Sequence, residues 1–112
     1  MDIHYLDIAG QKFPACFSMA ATEDIVAAFG GMDEMSKGLL NKDISVVGKM
    51  LDILINAGCE YCDLMGLEHP AKPKGRLTAL MSIKETEAIV GQIFEVMTED
   101  AERTVEVRSK NA

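Results

Sequence analysis

The chain has 112 residues, a length typical of one domain, and a formal net charge of −7. The acidic excess and the lack of Trp disfavour nucleic acid as a partner, and the only basic cluster is Lys72-Pro73-Lys74-Gly75-Arg76. No apolar run approaches the roughly 20 residues that a membrane-spanning helix needs, so we expect no membrane partner. The odd cysteine count and the charged, leaderless start predict a reducing cytoplasm.

The N-terminus carries a hairpin pattern over about residues 2–18. Two segments rich in β-branched and aromatic residues, Ile3 to Ile8 and Lys12 to Ser18, flank Ala9-Gly10-Gln11. Pro14 has no backbone N–H, which indicates an edge strand.

Two short helices are predicted next. Thr22 supplies a capping hydroxyl for a helix that Gly30-Gly31 ends. A second helix is expected from about Met32 to Leu40.

A longer helix follows, with Asp43 as its cap. Its apolar residues recur at spacings of three and four and form one stripe, consisting of Ile44, Val47, Leu51, Leu54 and Ile55. Gly58 predicts a bend or a break, and Gly66 closes the segment.

The glycines, prolines and lysines from Gly66 to Gly75 predict a loop. Ser82 and Glu85 have the spacing of a capping box and predict the start of the last helix. The helical part is thus expected over about 22–104, with a frayed tail over about 105–112. The hairpin followed by four to five helices predicts a single domain, 1–112, of the α+β class, mostly α.

Cys59 and Cys62 have the spacing of zinc knuckles and redox pairs. A closed zinc site needs four ligands, and no second pair accompanies them. A redox pair opens a helix after a strand, whereas this one lies far along a helical segment. We therefore expect neither a metal nor a cofactor, and interpret these cysteines as small buried apolar side chains.

His4 and His69 have no recognisable nucleophile partner, and no GxSxG, HExxH or Walker motif is present. The pair Gly30-Gly31 follows a helix rather than a strand, which indicates a helix end and not a phosphate loop. The residues therefore predict no catalytic centre and no enzyme.

Three segments in order carry a family resemblance: the hairpin with Phe13 and Phe17, then Ile25-Val26-Ala27-Ala28-Phe29-Gly30-Gly31, then Leu51-Asp52-Ile53-Leu54-Ile55-Asn56-Ala57-Gly58. This layout resembles the tail assembly chaperones of long-tailed phages and prophages. The resemblance implies a noncatalytic chaperone that binds the tape measure protein and helps recruit tail tube subunits. It also implies action in the host bacterial cytoplasm and absence from the mature virion.

If the resemblance holds, five apolar residues are expected to form a protein-binding groove or a self-association surface: Ile25, Phe29, Leu39, Met50 and Leu51. Each of them fits the core equally well, because core and interface stripes have the same periodicity. Two other classes stay open. One is a small bacterial adaptor or regulatory domain that binds a folded partner, and the other is a metal or thiol protein that uses Cys59 and Cys62.

Overall fold

A computed structural model describes the backbone of residues 3–111 and the side chains of residues 3–101. Two strands precede four α-helices: β1 (His4–Ile8), β2 (Gln11–Ala15), α1 (Met19–Phe29), α2 (Met32–Leu40), α3 (Ile44–Met65) and α4 (Thr86–Asn111). Two short 3₁₀ turns, Leu77–Leu80 and Ile83–Glu85, lie between α3 and α4. The predicted fold class, mostly α with an N-terminal hairpin, is confirmed.

The hairpin is closed by a two-residue turn. Ala9 and Gly10 both have positive φ, 52° and 78°, the combination that matches the twist of tight antiparallel hairpins. The second strand ends at Ala15, earlier than the predicted Ser18. The face that carries Leu6 and its partner Phe13 is buried, so the hairpin packs against the helices through one side.

The start of α1 differs from the prediction. Ser18, not Thr22, is the N-cap: its backbone is extended and its Oγ accepts a hydrogen bond from the Ala21 N–H at 3.2 Å. Thr22 lies inside the helix, where its hydroxyl donates to the Ser18 carbonyl at 3.1 Å. Both residues offer a capping oxygen, but Ser18 comes first after the strand and takes the role. The helix ends at Gly30, which has a φ of 85°.

The central helix, α3, is capped as predicted by Asp43, whose carboxylate accepts from the Ser45 N–H at 3.0 Å. The predicted break at Gly58 is wrong, because α3 continues to Met65. Gly58 instead lies against β2: a Cβ there would come within 2.4 Å of the Pro14 carbonyl. The missing side chain lets the helix touch the strand backbone.

The core surrounds α3, which contacts β2 and the other three helices. Its fully buried large side chains include Met50, Leu51 and Leu54, which meet Ile25 of α1 and Ile93 of α4 in one cluster. Such a cluster, lined on every side by apolar groups, is the main source of folding free energy.

The last helix follows the predicted capping box of Ser82 and Glu85, which forms in the structure. Its backbone is helical to Asn111, past the predicted end near residue 104, and no Gly or Pro follows Gly91 to end it. Across the described residues, none of the helices combines the length and apolarity required to cross a membrane.

Candidate functional site

The five residues expected to form a binding surface lie mostly in the core. Ile25, Leu39, Met50 and Leu51 are 0% exposed, and Phe29 is half-buried. The Lys49 Nζ lies 5.7 Å from the centre of the Phe29 ring, close enough for a cation–π contact. In this conformation a partner does not reach the four buried side chains, so a docking surface has to lie elsewhere on the protein.

A trough runs along one side of α3, between this helix and the chain from Lys72 to Ile83. Three adjoining depressions form it, and their lining residues on α3 run from Ile44 to Asn56. The rise along the helix from Ile44 to Asn56 is about 18 Å, the length of roughly three helical turns. The trough is therefore long enough to hold a short segment of another chain.

The first depression, named here the apolar groove, lies at the start of α3. Its lining residues are Ile44, Val47, Thr78, Met81, Ser82, Ile83 and Thr86. Val47 is buried at its base, whereas Ile44 is 52% exposed and Ile83 is 80% exposed. Two large β-branched side chains thus face solvent on one groove, and exposed apolar side chains that adjoin one another are a feature of protein-binding surfaces.

An ion pair borders the apolar groove. The Lys42 Nζ lies 2.5 Å from the Glu87 carboxylate, and this hydrogen bond, with the attraction of the ammonium, holds the pKa of Glu87 below its ordinary value. Both residues also line a shallow depression that contains Ile44 and Ile83. The apolar surface therefore has a charged rim, as the centres of protein interfaces commonly do.

The middle depression joins the two ends of the trough. It has a volume of about 300 Å³, and shares Ile44 and Thr78 with the apolar groove. Gly48 lies at its base: a Cβ there would be 3.2 Å from the Thr78 methyl group. The absence of a side chain at this position lets the first 3₁₀ turn approach α3.

The third depression, named here the basic groove, has a volume of about 450 Å³. From α3 it is lined by Asp52, Ile55 and Asn56, and from the loop by Lys72, Pro73, Lys74, Gly75, Arg76 and Leu77. Partial desolvation raises the pKa of the Asp52 carboxyl, and the neighbouring Lys72 ammonium opposes that shift. The predicted loop thus brings the basic cluster of the sequence over the helix.

The three cysteines are buried thiols. Burial raises the pKa of Cys16 to about 11, and it also raises the pKa of Cys59 and of Cys62. A protonated, enclosed thiol is a poor nucleophile and a poor metal ligand. No cluster of three or more His, Cys, Asp or Glu side chains suited to a metal ion occurs within the part of the chain that the structure describes.

Both histidines bind carboxylates. His4 has its Nε2 2.9 Å from Asp100 and its Nδ1 3.2 Å from Glu99, whereas His69 has its Nε2 2.6 Å from Asp63. Asp100 is 1% exposed and also accepts a hydrogen bond from the Phe17 N–H at 2.8 Å. The contacts of Asp100 join the hairpin to α4, and the contact of Asp63 joins α3 to the loop that follows it.

Asp100 and the basic groove are the features that sequence reasoning missed. Asp100 lies seven residues after Ile93 and three residues after Met97, so the helical period places it on the apolar face of α4. The period could have revealed a buried acid. Nothing local, by contrast, places Lys72 next to Asp52.

Comparisons of this chain with protein-family models, with curated proteins and with solved structures return no match.

Proposed function

We propose that this protein is a noncatalytic tail assembly chaperone of a long-tailed phage or prophage. It binds amphipathic helical segments of the tape measure protein in the trough along α3 and helps to recruit tail tube subunits. The observation that carries the proposal is the exposure of Ile44 and Ile83 on one apolar groove. The resemblance of the hairpin and of the segments that end at Gly31 and Gly58 supports it.

The apolar groove suits a helix. An amphipathic helix presents apolar residues three and four apart, and the exposed Ile44 and Ile83 side chains give them two places to pack. The half-buried Met81 lies between them on the lining, and an unbranched thioether adapts to side chains of different shape. One groove can therefore accept many different helical turns of a long partner.

The apolar groove has a volume of only about 60 Å³, so a partner packs on its exposed isoleucines and binds weakly and reversibly at each contact. Full burial of an isoleucine contributes about 1.5–3 kcal/mol, so covering the exposed parts of Ile44 and Ile83 contributes on the order of 2–4 kcal/mol. That amount alone corresponds to a millimolar dissociation constant. Many copies along one tape measure protein would gain by multivalency and could still be displaced when the tail tube forms.

The charge of the protein serves the same purpose. The net charge of −7 keeps a chain coated with many copies from aggregating, since the outer surfaces repel one another. The protein acts in the host bacterial cytoplasm, can associate with itself, and is released before the virion is complete.

The test is coexpression with a candidate tape measure protein, scored by the soluble fraction of that protein. The wild-type chain is expected to keep it soluble, and the Ile44→Ser/Ile83→Ser variant to lose most of this effect. The control is Met19→Ser/Leu64→Ser, which changes residues that are 85% and 86% exposed and lie outside the trough. Equal solubility with the groove variant and the wild type, or no effect of the wild type, would refute the proposal.

A further inference from the structure

The basic groove is an exception on an acidic protein. Three of the 11 basic residues, Lys72, Lys74 and Arg76, occur within five positions and line one depression, and Lys49 lines the adjoining one. The net charge of −7 includes these three cations, so the rest of the chain is more acidic still. The low-dielectric walls of a groove focus the electric field of clustered cations, and the resulting positive potential attracts anionic groups.

These cations form no close ion pair with the described side chains of the fold. Lys37 and Lys42 each have a carboxylate within 4 Å, whereas among the side chains of residues 3–101 no acid pairs in this way with Lys72, Lys74 or Arg76. Asp52 is the one acid that lines the groove, and it attracts the Lys72 ammonium without forming an ion pair within 4 Å. The ammonium and guanidinium groups are therefore available to a ligand.

The lining also contains apolar and amide groups. Ile55 and Leu77 are buried at the base of the groove, Pro73 is half-buried, and the Asn56 side chain offers both a donor and an acceptor. A volume of about 450 Å³ holds a few amino-acid side chains. Cations around an apolar base match a polypeptide that carries carboxylates next to apolar residues.

Asp52 distinguishes a polypeptide from a phosphate ligand. The Asp52 carboxylate repels a phosphate group and the carboxylates of an acidic peptide alike, and a phosphate group has few or no donors to offset that repulsion. A polypeptide brings backbone N–H donors, which a carboxylate accepts. No aromatic residue lines this groove on which a nucleic-acid base could stack.

We propose that the basic groove is a binding site for an acidic segment of a different protein, with Lys72, Lys74 and Arg76 pairing with its Glu or Asp side chains. Arg76 offers the planar, bidentate donor set that carboxylates favour. This site differs from the apolar groove in position and in ligand class. It does not depend on the tape measure protein being the client.

The test measures the binding of a fluorescein-labelled peptide by fluorescence anisotropy at low salt. The peptide has about 15 residues, enough for four helical turns, with Glu and Leu on adjacent faces. The Lys72→Gln/Lys74→Gln/Arg76→Gln variant is expected to bind it at least tenfold more weakly than the wild type. The control, Lys12→Gln/Lys37→Gln/Lys84→Gln, has the same net charge but an intact basic groove, and should bind within twofold of the wild type.

Two comparisons complete the design. A peptide with Gln in place of Glu should bind at least tenfold more weakly to the wild type, and added salt should weaken the Glu peptide more in the wild type than in the groove variant. Equal binding by both triple variants, equal binding of both peptides, or no binding at all would overturn the proposal.

Displacement of the peptide by inorganic phosphate or by a single-stranded oligonucleotide at matched charge would reassign the groove to phosphate. Sedimentation of the free wild-type chain as an oligomer, abolished only by the groove substitutions, would make a second copy the occupant and also overturn it.

Discussion

The imidazole of His4 in β1 lies 2.9 Å from the carboxylate of Asp100 in α4, across 96 positions of the chain. The second oxygen of Asp100 accepts from the Phe17 N–H, just after β2. One buried carboxylate thus joins both ends of the hairpin to the last helix. A buried charge is costly unless it is paired, and here both oxygens have donors.

Replacement of this carboxylate should destabilise the protein strongly. Asp100→Ala leaves the His4 Nε2 and the Phe17 N–H without the carboxylate that they contact, and hydrogen bonds to charged groups contribute about 1.5–3 kcal/mol each. We expect the free energy of unfolding to fall by about 2–4 kcal/mol in urea denaturation. Glu99→Ala is the control: its half-exposed carboxylate also contacts His4, but the loss should stay below about 1 kcal/mol. Similar losses in both variants would contradict this role for Asp100.

Two helical glycines should respond to alanine with opposite signs. A Cβ at Gly58 would press within 2.4 Å of the Pro14 carbonyl, whereas a Cβ at Gly91 meets nothing within 4 Å. Gly58→Ala should therefore destabilise the protein by about 1–3 kcal/mol through overpacking. Gly91→Ala should stabilise it by about 0.5–1 kcal/mol through helix propensity. Thermal and urea unfolding measure both, and a stabilising Gly58→Ala would show that α3 and β2 can separate freely.

His69 should titrate above its ordinary pKa of 6.5. The hydrogen bond to Asp63, at 2.6 Å, is the main cause, and the bond from Nδ1 to the Pro70 carbonyl, at 2.7 Å, adds to it. Because the folded pKa is raised, this contribution to stability is present in full below pH 6.5 and is lost as the pH rises through the folded pKa.

An NMR titration of the imidazole C–H signals measures this pKa. Asp63→Asn should move the His69 midpoint down toward 6.5, whereas Glu68→Gln, an exposed neighbouring acid, should leave it close to the wild-type value. A wild-type midpoint at or below 6.5 would contradict the contacts that the loop shows.

The native thiols should react slowly. Cys16 and Cys62 are 0% exposed, and a pKa of about 11 leaves Cys16 with roughly one thiolate per thousand at pH 8. We expect their labelling by a disulfide reagent at pH 8 to be at least about 100-fold slower in the native protein than in denaturant, because it requires local opening. Full labelling in denaturant is the control. Rapid labelling without denaturant, or zinc in the native mass that Cys59→Ser/Cys62→Ser removes, would favour the thiol or metal class.

Local signals explain why much of the fold was predictable. Three features depend only on residues that lie within about four positions of them in the sequence, and the structure has all three as predicted. They are the limits of α2, the Asp43 cap of α3 and the Ser82 capping box. The predicted start of α1 was wrong because Ser18 and Thr22, four residues apart, both offer a hydroxyl that can cap a helix. The choice between them depends on where β2 ends, which is set by pairing with β1.

The order of the strands and helices was determined by the sequence itself, because hairpin turns, helix caps and apolar periods act over a few residues. Which apolar residues are core and which are surface was decided only by the tertiary structure. Ile25 and Ile44 follow the same kind of helical period, yet the first is 0% and the second 52% exposed. Burial depends on which distant segments pack against a side chain. The packing of distant segments also places Lys72 near Asp52 and Gly58 against Pro14.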